Sequence, residues 1–96
     1  LDKDSGALEN SGAGAEAAKI LANLIAALPD FSLTLDDMLS ATIYTTDFDQ
    51  FPAINAAWEH VFTDEVRPPA RTSIGVSALP LNATVEIEFT FYCDRF

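Results

Sequence analysis

Hydrophobic positions recur at steps of three and four from about Ala15 to Leu28, where Ala17, Ile20, Leu21, Leu24, Ile25 and Leu28 fall on one face of a helix. Pro29 ends the pattern, because proline lacks an amide proton and its ring clashes with the preceding turn. After a loop over residues 30–38 the period changes to two. Leu39, Ala41, Ile43 and Thr45 alternate with Ser40, Thr42, Tyr44 and Thr46, a β-branched run that predicts a strand. Asp47 and Asp49 then offer N-capping and acidic charge at a helix start, and Pro52 suits its first turn. Phe51, Ile54, Ala57, Trp58, Val61 and Phe62 repeat at helical spacing, so a second helix is expected to run to about Phe62. Arg67-Pro68-Pro69 forces extended backbone. Beyond it Thr72, Ile74, Val76 and Ala78 alternate with Arg71, Ser73, Gly75 and Ser77, a second strand. Leu79 to Ala83, with Pro80 and Asn82, turns the chain into a third, in which Val85, Ile87, Phe89, Phe91 and Cys93 alternate with Glu86, Glu88, Thr90 and Tyr92. The last two strands are expected to form a β-hairpin.

The order α-β-α-β-β, with amphipathic helices and one-sided strands, predicts an α+β fold in which the helices pack on one face of a mostly antiparallel sheet. Residues 1–14 are polar and rich in Gly, Ser and Ala, and read as a loop; residues 15–96 read as one domain. The free face of the sheet is expected to carry Arg71, Ser73, Glu86, Glu88 and Tyr92. Opposed residues of a hairpin share a face, so Val76 is expected opposite Val85 or Ile87, and Arg71 opposite Thr90 or Tyr92. That spacing separates Arg71 and Glu86 of one chain by about four to six residues, roughly 13 to 20 Å. A site using both is therefore expected to draw them from different subunits, unless a bulge or strand curvature closes the gap.

Composition narrows the possibilities. A chain of 96 residues with 49% hydrophobic positions makes one thin-cored domain, which association with other copies would help. Five Lys plus Arg against fifteen Asp plus Glu give a net charge of -10, the wrong sign for neutralising phosphates, so neither nucleic acid nor an anionic membrane is an expected partner. The single Cys93 excludes an intrachain disulfide and any multi-cysteine metal site, and a reducing, cytoplasmic setting fits, or an organelle matrix if a targeting segment has been removed. The longest apolar run, Ile20 to Leu28, falls short of the about 20 residues that span a bilayer. The sequence opens on Leu1 and not on Met, which reads as the interior of a longer gene product.

Pro69-Ala70-Arg71-Thr72-Ser73-Ile74-Gly75-Val76, followed by Leu79-Pro80 and Val85-Glu86-Ile87-Glu88, resembles the signature of the RidA/YjgF family of enamine and imine deaminases. Leu35-Asp36-Asp37-Met38-Leu39, Asp49-Gln50-Phe51 and Ile54-Asn55-Ala56-Ala57-Trp58-Glu59 are similar to its middle region, so the resemblance runs from about Ala15 to the C-terminus. It implies a chorismate-mutase-like subunit that forms homotrimers with active sites between subunits. It also implies hydrolysis of 2-aminoacrylate-type enamines and their 2-imino acid tautomers to 2-keto acids and ammonia, the 2-iminobutanoate/2-iminopropanoate deaminase type of activity, without metal or organic cofactor.

Arg71 occupies that family's carboxylate-binding position, and a planar guanidinium can hold a carboxylate through two parallel hydrogen bonds. An arbitrary Arg among fifteen acids would instead make a surface ion pair. Glu86 matches the acid that positions the attacking water, with Glu88 as the alternative two residues on. Ser73 stands where many relatives carry Cys beside the pocket, and Asn55 matches an Asn near it; both join Arg71 as expected substrate-binding residues. Thr72 and Gly75 are read as structural.

Other polar groups carry less. His60 beside Glu59 has no partner pattern for a metal or a Ser-His pair and reads as a surface residue. Cys93 reads as a small buried hydrophobe, and Trp58 as core. Asn82-Ala83-Thr84 matches a glycosylation sequon but reads as a turn, and Asp36-Asp37 and Asp64-Glu65 lack the spacing of a calcium loop. Members of the family begin with two further strands that this sequence does not contain. If it is the whole folded molecule, an uncovered sheet edge predicts instability or a rearranged assembly. A noncatalytic module binding small carboxylates or protein partners is the alternative to a deaminase. Ribonuclease activity ranks third, because the net charge opposes RNA.

Overall fold

Helix α1, Gly12–Ala27, buries Ala13, Ala17 and Leu21 on the stripe that the apolar spacing marks out. The computed structural model describes residues 12–93. Residues 1–11 of the expected opening loop lie outside them, whereas Gly12, Ala13 and Gly14 are helical, so α1 starts three residues ahead of the expected Ala15. The physical reason is burial of Ala13, whose exposure of 1% extends the contact stripe by one turn. The helix gives way at Leu28 to a single 3-10 turn, Leu28–Phe31. Ser32, left-handed at φ 58°, closes it, its amide donating to Pro29 O and the Leu33 amide to Leu28 O.

Strand β1, Met38–Thr45, is the centre of the sheet. Helix α2, Phe51–Val61, follows a 3-10 turn and leads into β2, Ala70–Gly75; β3, Val85–Phe91, is the last strand among the described residues. The helices and strands thus fall in the expected order, and the architecture is α+β. The sheet order is β2-β1-β3, with β1 parallel to β2 and antiparallel to β3. The sheet is therefore mixed and not mostly antiparallel, and the expected β2-β3 hairpin does not form. Two physical reasons account for this. A helix joins β1 to β2, and a strand-helix-strand crossover returns the chain parallel to its start. Residues 76–84 are too long for a tight hairpin turn; they pass the end of β1 instead, where Val76 N donates to Thr45 O and Thr46 N to Thr84 O.

Both helices cover one face of the sheet. Met38, Ala41, Ile43 and Thr45 of β1 and Val85 of β3 are buried there beneath Ala17, Leu21, Ile54 and Trp58. Each large side chain fully removed from water contributes about 1.5–3 kcal/mol. Thr45 is the one polar residue in that layer among the described residues, and its hydroxyl is satisfied, donating to Thr84 O at 2.7 Å and accepting from Asp47 N at 3.1 Å. Glu16 ties α1 to the start of β3 by accepting from Thr84 N at 2.9 Å and Val85 N at 3.3 Å. Among the described residues no helix is long and apolar enough to cross a membrane.

Candidate functional site

The register decides which candidate residues share a face. Ala41 pairs with Arg71 and Ile43 with Ser73 across the parallel ladder, and Ala41 and Ile43 are buried under the helices. Arg71 and Ser73 therefore point to the helix side. On the antiparallel side Tyr44 pairs with Glu86 and Thr42 with Glu88, while Val85, Ile87 and Phe89 turn inward. Glu86 and Glu88 stand on the open face.

This corrects the expectation of one polar face carrying Arg71 and Ser73 together with Glu86, Glu88 and Tyr92. Arg71 lies opposite Ala41, and neither Thr90 nor Tyr92 faces it across a ladder; Val76 likewise has no β3 partner and is bonded to Thr45. The expectation assigned the phase of β2 by polarity, with Thr72 and Ile74 inward. At a sheet edge the phase is free to be the reverse, because an exposed Arg on the helix side can lay its guanidinium over aromatic rings without being cut off from water. Ile74 is instead exposed on the open face.

Helix α2 builds the surroundings of the Arg71 head. Phe51, Asn55 and Trp58 are spaced four and three apart and form one stripe toward β2. Arg71 Nη1 donates to Asn55 Oδ1 at 2.7 Å, and the guanidinium carbon lies 5.4 Å from the Phe51 ring centroid and 5.3 Å from that of Trp58. The rings are themselves anchored: Trp58 stacks on Phe62 with centroids 4.2 Å apart, and Phe51 on Phe48 at 5.1 Å. Among the described residues no carboxylate pairs with Arg71, in a chain with fifteen Asp plus Glu. A cation held by a neutral amide and two rings keeps its full charge and most of its five N–H donors for an anion.

Arg71, Asn55 and Ser73 thus come to one side of the sheet, Ser73 half-buried one pleat from Arg71. On the other side Tyr44 donates its hydroxyl to Glu88 Oε1 at 3.0 Å. That hydrogen bond, with the fields of Glu88 and Glu86, raises the phenol above its ordinary range. Among the described residues no side chain hydrogen-bonds the Glu86 carboxylate. Tyr44 was not singled out by sequence reasoning, which read it only as a strand residue; the signal was its place in a two-residue period that Glu86 and Glu88 share. Phe51 and Trp58 lie on the helical apolar repeat that the sequence assigns to packing, and the Asn55 stripe that joins them is the signal for a second role.

The remaining candidates fall outside this arrangement. His60 is exposed near the end of α2, and Cys93 is half-buried past β3. The Asp36-Asp37 pair serves local structure: Asp36 accepts from the Arg67 amide at 2.9 Å and from Thr34 N Asp37 accepts at 2.9 Å. No group of three or more His, Cys, Asp or Glu suited to a metal ion occurs among the described residues. An open hollow of about 190 Å³ between Thr46, Ser77–Leu79, Asn82 and Ala83 contains none of the candidate residues.

Comparison with known proteins bears on the family and the fold. A family model described as Endoribonuclease L-PSP matches residues 1–93. A RutC family protein of Aquifex aeolicus is 41% identical over 70 residues, covering 73% of this chain and 56% of the relative. A 2-iminobutanoate/2-iminopropanoate deaminase of Salmonella typhimurium is 30% identical over 89 residues, covering 92% of this chain and 69% of the relative. The crystal structure of the E. coli YjgF gene product matches with a TM-score of 0.75 at 30% identity, over 82% of this chain and 63% of that one. The chain spans little more than half the length of the Aquifex relative. With the sequence blocks, the α+β fold and these likenesses in agreement, the chain belongs to the RidA/YjgF family.

Proposed function

We propose that this chain supplies the carboxylate-binding and water-positioning residues of a deaminase that hydrolyses 2-imino acids, and their enamine tautomers, to 2-keto acids and ammonia. Imine deaminase is a role that relatives of this family carry by name. The single observation that carries the reading is Arg71: its guanidinium is positioned by Asn55, Phe51 and Trp58 yet has no carboxylate partner among the described residues. Such a group recognises a planar carboxylate through parallel N–H bonds. Ser73, beside it, is available to the polar end of the same ligand.

The reaction needs one water. Its oxygen bonds to the imine carbon as the C=N π pair moves to nitrogen; the carbinolamine then loses ammonia as the C–N bond breaks and the carbonyl forms. Glu86 takes one proton from the water and passes it to the nitrogen as the carbinolamine forms, then takes the hydroxyl proton and passes it to the same nitrogen as the C–N bond breaks, so that ammonia leaves and the carboxylate is regenerated. Glu88 is the weaker candidate for this role, because the Tyr44 hydroxyl already occupies it. The chemistry written in this way calls on no metal or organic cofactor. Because Arg71 and Glu86 face opposite sides of the sheet, the site takes Arg71 from one copy and Glu86 from another, in a cyclic homo-oligomer for which a trimer is our proposal. One free Cys suits work in a reducing, cytoplasm-like compartment.

The same two-faced arrangement favours one second reading, a carboxylate-binding module without turnover, if copies do not bring the two residues together. An RNA-cleaving role, which the description of the family model names, runs against a net charge of -10. The deciding experiment is keto-acid and ammonia release from freshly generated 2-iminobutanoate, by the chain and by Arg71→Ala, over the spontaneous rate. Arg71-dependent acceleration is expected. Keto-acid binding without acceleration leaves the binding module.

A further inference from the structure

Asn55 makes two hydrogen bonds at once: its Oδ1 accepts from Arg71 Nη1 at 2.7 Å and its Nδ2 donates to Glu59 Oε2 at 3.2 Å. A guanidinium only donates, so Asn55 serves Arg71 in just one of the two orientations of its amide. The bond to Arg71 alone would hold the half-buried amide at one end only, leaving it free to turn its carbonyl away. Glu59, one helical turn beyond Asn55 on α2, removes that freedom. A carboxylate only accepts, so it must face Nδ2, which sends Oδ1 toward Arg71. Turning the amide over would set its NH2 group against the guanidinium and its carbonyl against the carboxylate, losing both bonds and opposing like dipoles.

The aromatic rings cannot do this work. Phe51 and Trp58 attract the guanidinium toward their ring faces, but a ring face does not select which N–H edge of the cation points where. Asn55 selects the edge by binding Nη1, and the donors that remain are then fixed for an incoming carboxylate. We propose that Glu59 is a positioning residue for the carboxylate-binding Arg71, acting through the Asn55 amide; the proposal rests on the reading of Arg71 given above. Neither partner touches the reacting imine carbon in this scheme, so the effect falls on ligand capture. A ligand carboxylate is held equally before and during the chemical step, and its loss appears in KM and not in kcat.

The test uses the full chain with Glu59→Ala and Glu59→Gln. Glutamine retains an acceptor oxygen for Asn55 Nδ2, whereas alanine does not. Three readouts are taken: the Kd for 2-oxobutanoate, KM and kcat for 2-iminobutanoate hydrolysis, and the side-chain nitrogen resonances of Arg71 in the free protein. Expected for Glu59→Ala are a Kd and a KM raised roughly three- to tenfold, the gain from one modest hydrogen bond, and Arg71 Nη signals averaged where those of the wild type are distinct. Glu59→Gln retains wild-type values in all three. Glu59→Ala equal to wild type, or Glu59→Gln as impaired as Glu59→Ala, overturns the proposal. If the wild type neither binds 2-oxobutanoate nor hydrolyses the imine, the reading of Arg71 fails, while the resonances still decide whether Glu59 orders the guanidinium.

Discussion

Among the described residues Arg71 and Glu86 lie on the two outer strands of one three-stranded sheet and point to opposite sides of it, Arg71 in register with Ala41 and Glu86 with Tyr44. No side-chain rotation brings them onto one small ligand, since the sheet itself lies between them. A site that uses both requires two copies, which yields a complementation test. Arg71→Ala and Glu86→Gln are each expected to reduce imine hydrolysis by about a hundredfold or more. Co-expressed in equal amounts, they are expected to regain about a quarter of wild-type activity, the share of interfaces in a cyclic oligomer that join an intact Arg71 to an intact Glu86. Mixed assemblies no more active than either variant alone would rule out the shared site.

Charge alone is not what Arg71 contributes. Arg71→Lys preserves the charge but loses the planar fork that lies over Phe51 and Trp58, so it is expected to behave much like Arg71→Ala. Titration with 2-oxobutanoate is the check, the lysine variant being expected to bind at least about tenfold more weakly than wild type, the scale of one charge-assisted hydrogen bond. Near-wild-type affinity for the lysine variant would reduce Arg71 to a point charge.

Tyr44 reports on the other side of the sheet. Its hydroxyl donates to Glu88, and that bond, followed by burial and the charges of Glu88 and Glu86, holds the phenol above its ordinary range. Ultraviolet titration should therefore find one of the two tyrosines ionising above about pH 10, and Glu88→Ala should return it toward that value. The sign for stability follows from linkage. The folded chain keeps a proton that the unfolded chain has released, so the contribution is full below about pH 10 and is lost as pH rises through the higher folded value. Tyr44→Phe removes that alkaline decline. A variant losing stability over the same range as wild type would place the decline elsewhere.

Periodicity made the helices and strands legible, since α1 and α2 each bury one clean stripe and β1 alternates without a break beyond Ser40. It could not decide the facing of β2. An edge strand reading Arg71, Thr72, Ser73, Ile74 offers no strong apolar face, so its phase is set by pairing with Ala41 and Ile43 and by the rings over which the Arg71 guanidinium lies. Pairing order was hidden for a related reason: proximity in sequence suggested β2 beside β3, whereas the helix between β1 and β2 makes those two strands neighbours. The sequence blocks singled out Arg71 and Asn55, and the structure brings that pair into contact. Glu59 and Tyr44 act through side-chain hydrogen bonds whose partners only the packed structure identifies.

Gly14 offers a test of the helix packing that supports the Arg71 side. A Cβ built there would lie 2.7 Å from the Ala53 Cβ and 3.4 Å from the Ala53 carbonyl carbon, so α1 and α2 approach as closely as a bare glycine allows. Two effects compete in Gly14→Ala. Helix propensity favours alanine by up to about 1 kcal/mol, and overpacking costs about 1–3 kcal/mol. The backbone of α2 is among the atoms that would have to move, so the second effect wins and the variant should unfold at a lower temperature than wild type. Gly75→Ala is the control, because its new Cβ would meet only the Phe48 ring at 3.6 Å, an ordinary contact. Thermal melts in which Gly14→Ala equals or exceeds wild type while Gly75→Ala is unaltered would mean that the two helices can separate without cost. Their hold on the Asn55 stripe would then have to come from β1 and β2 instead.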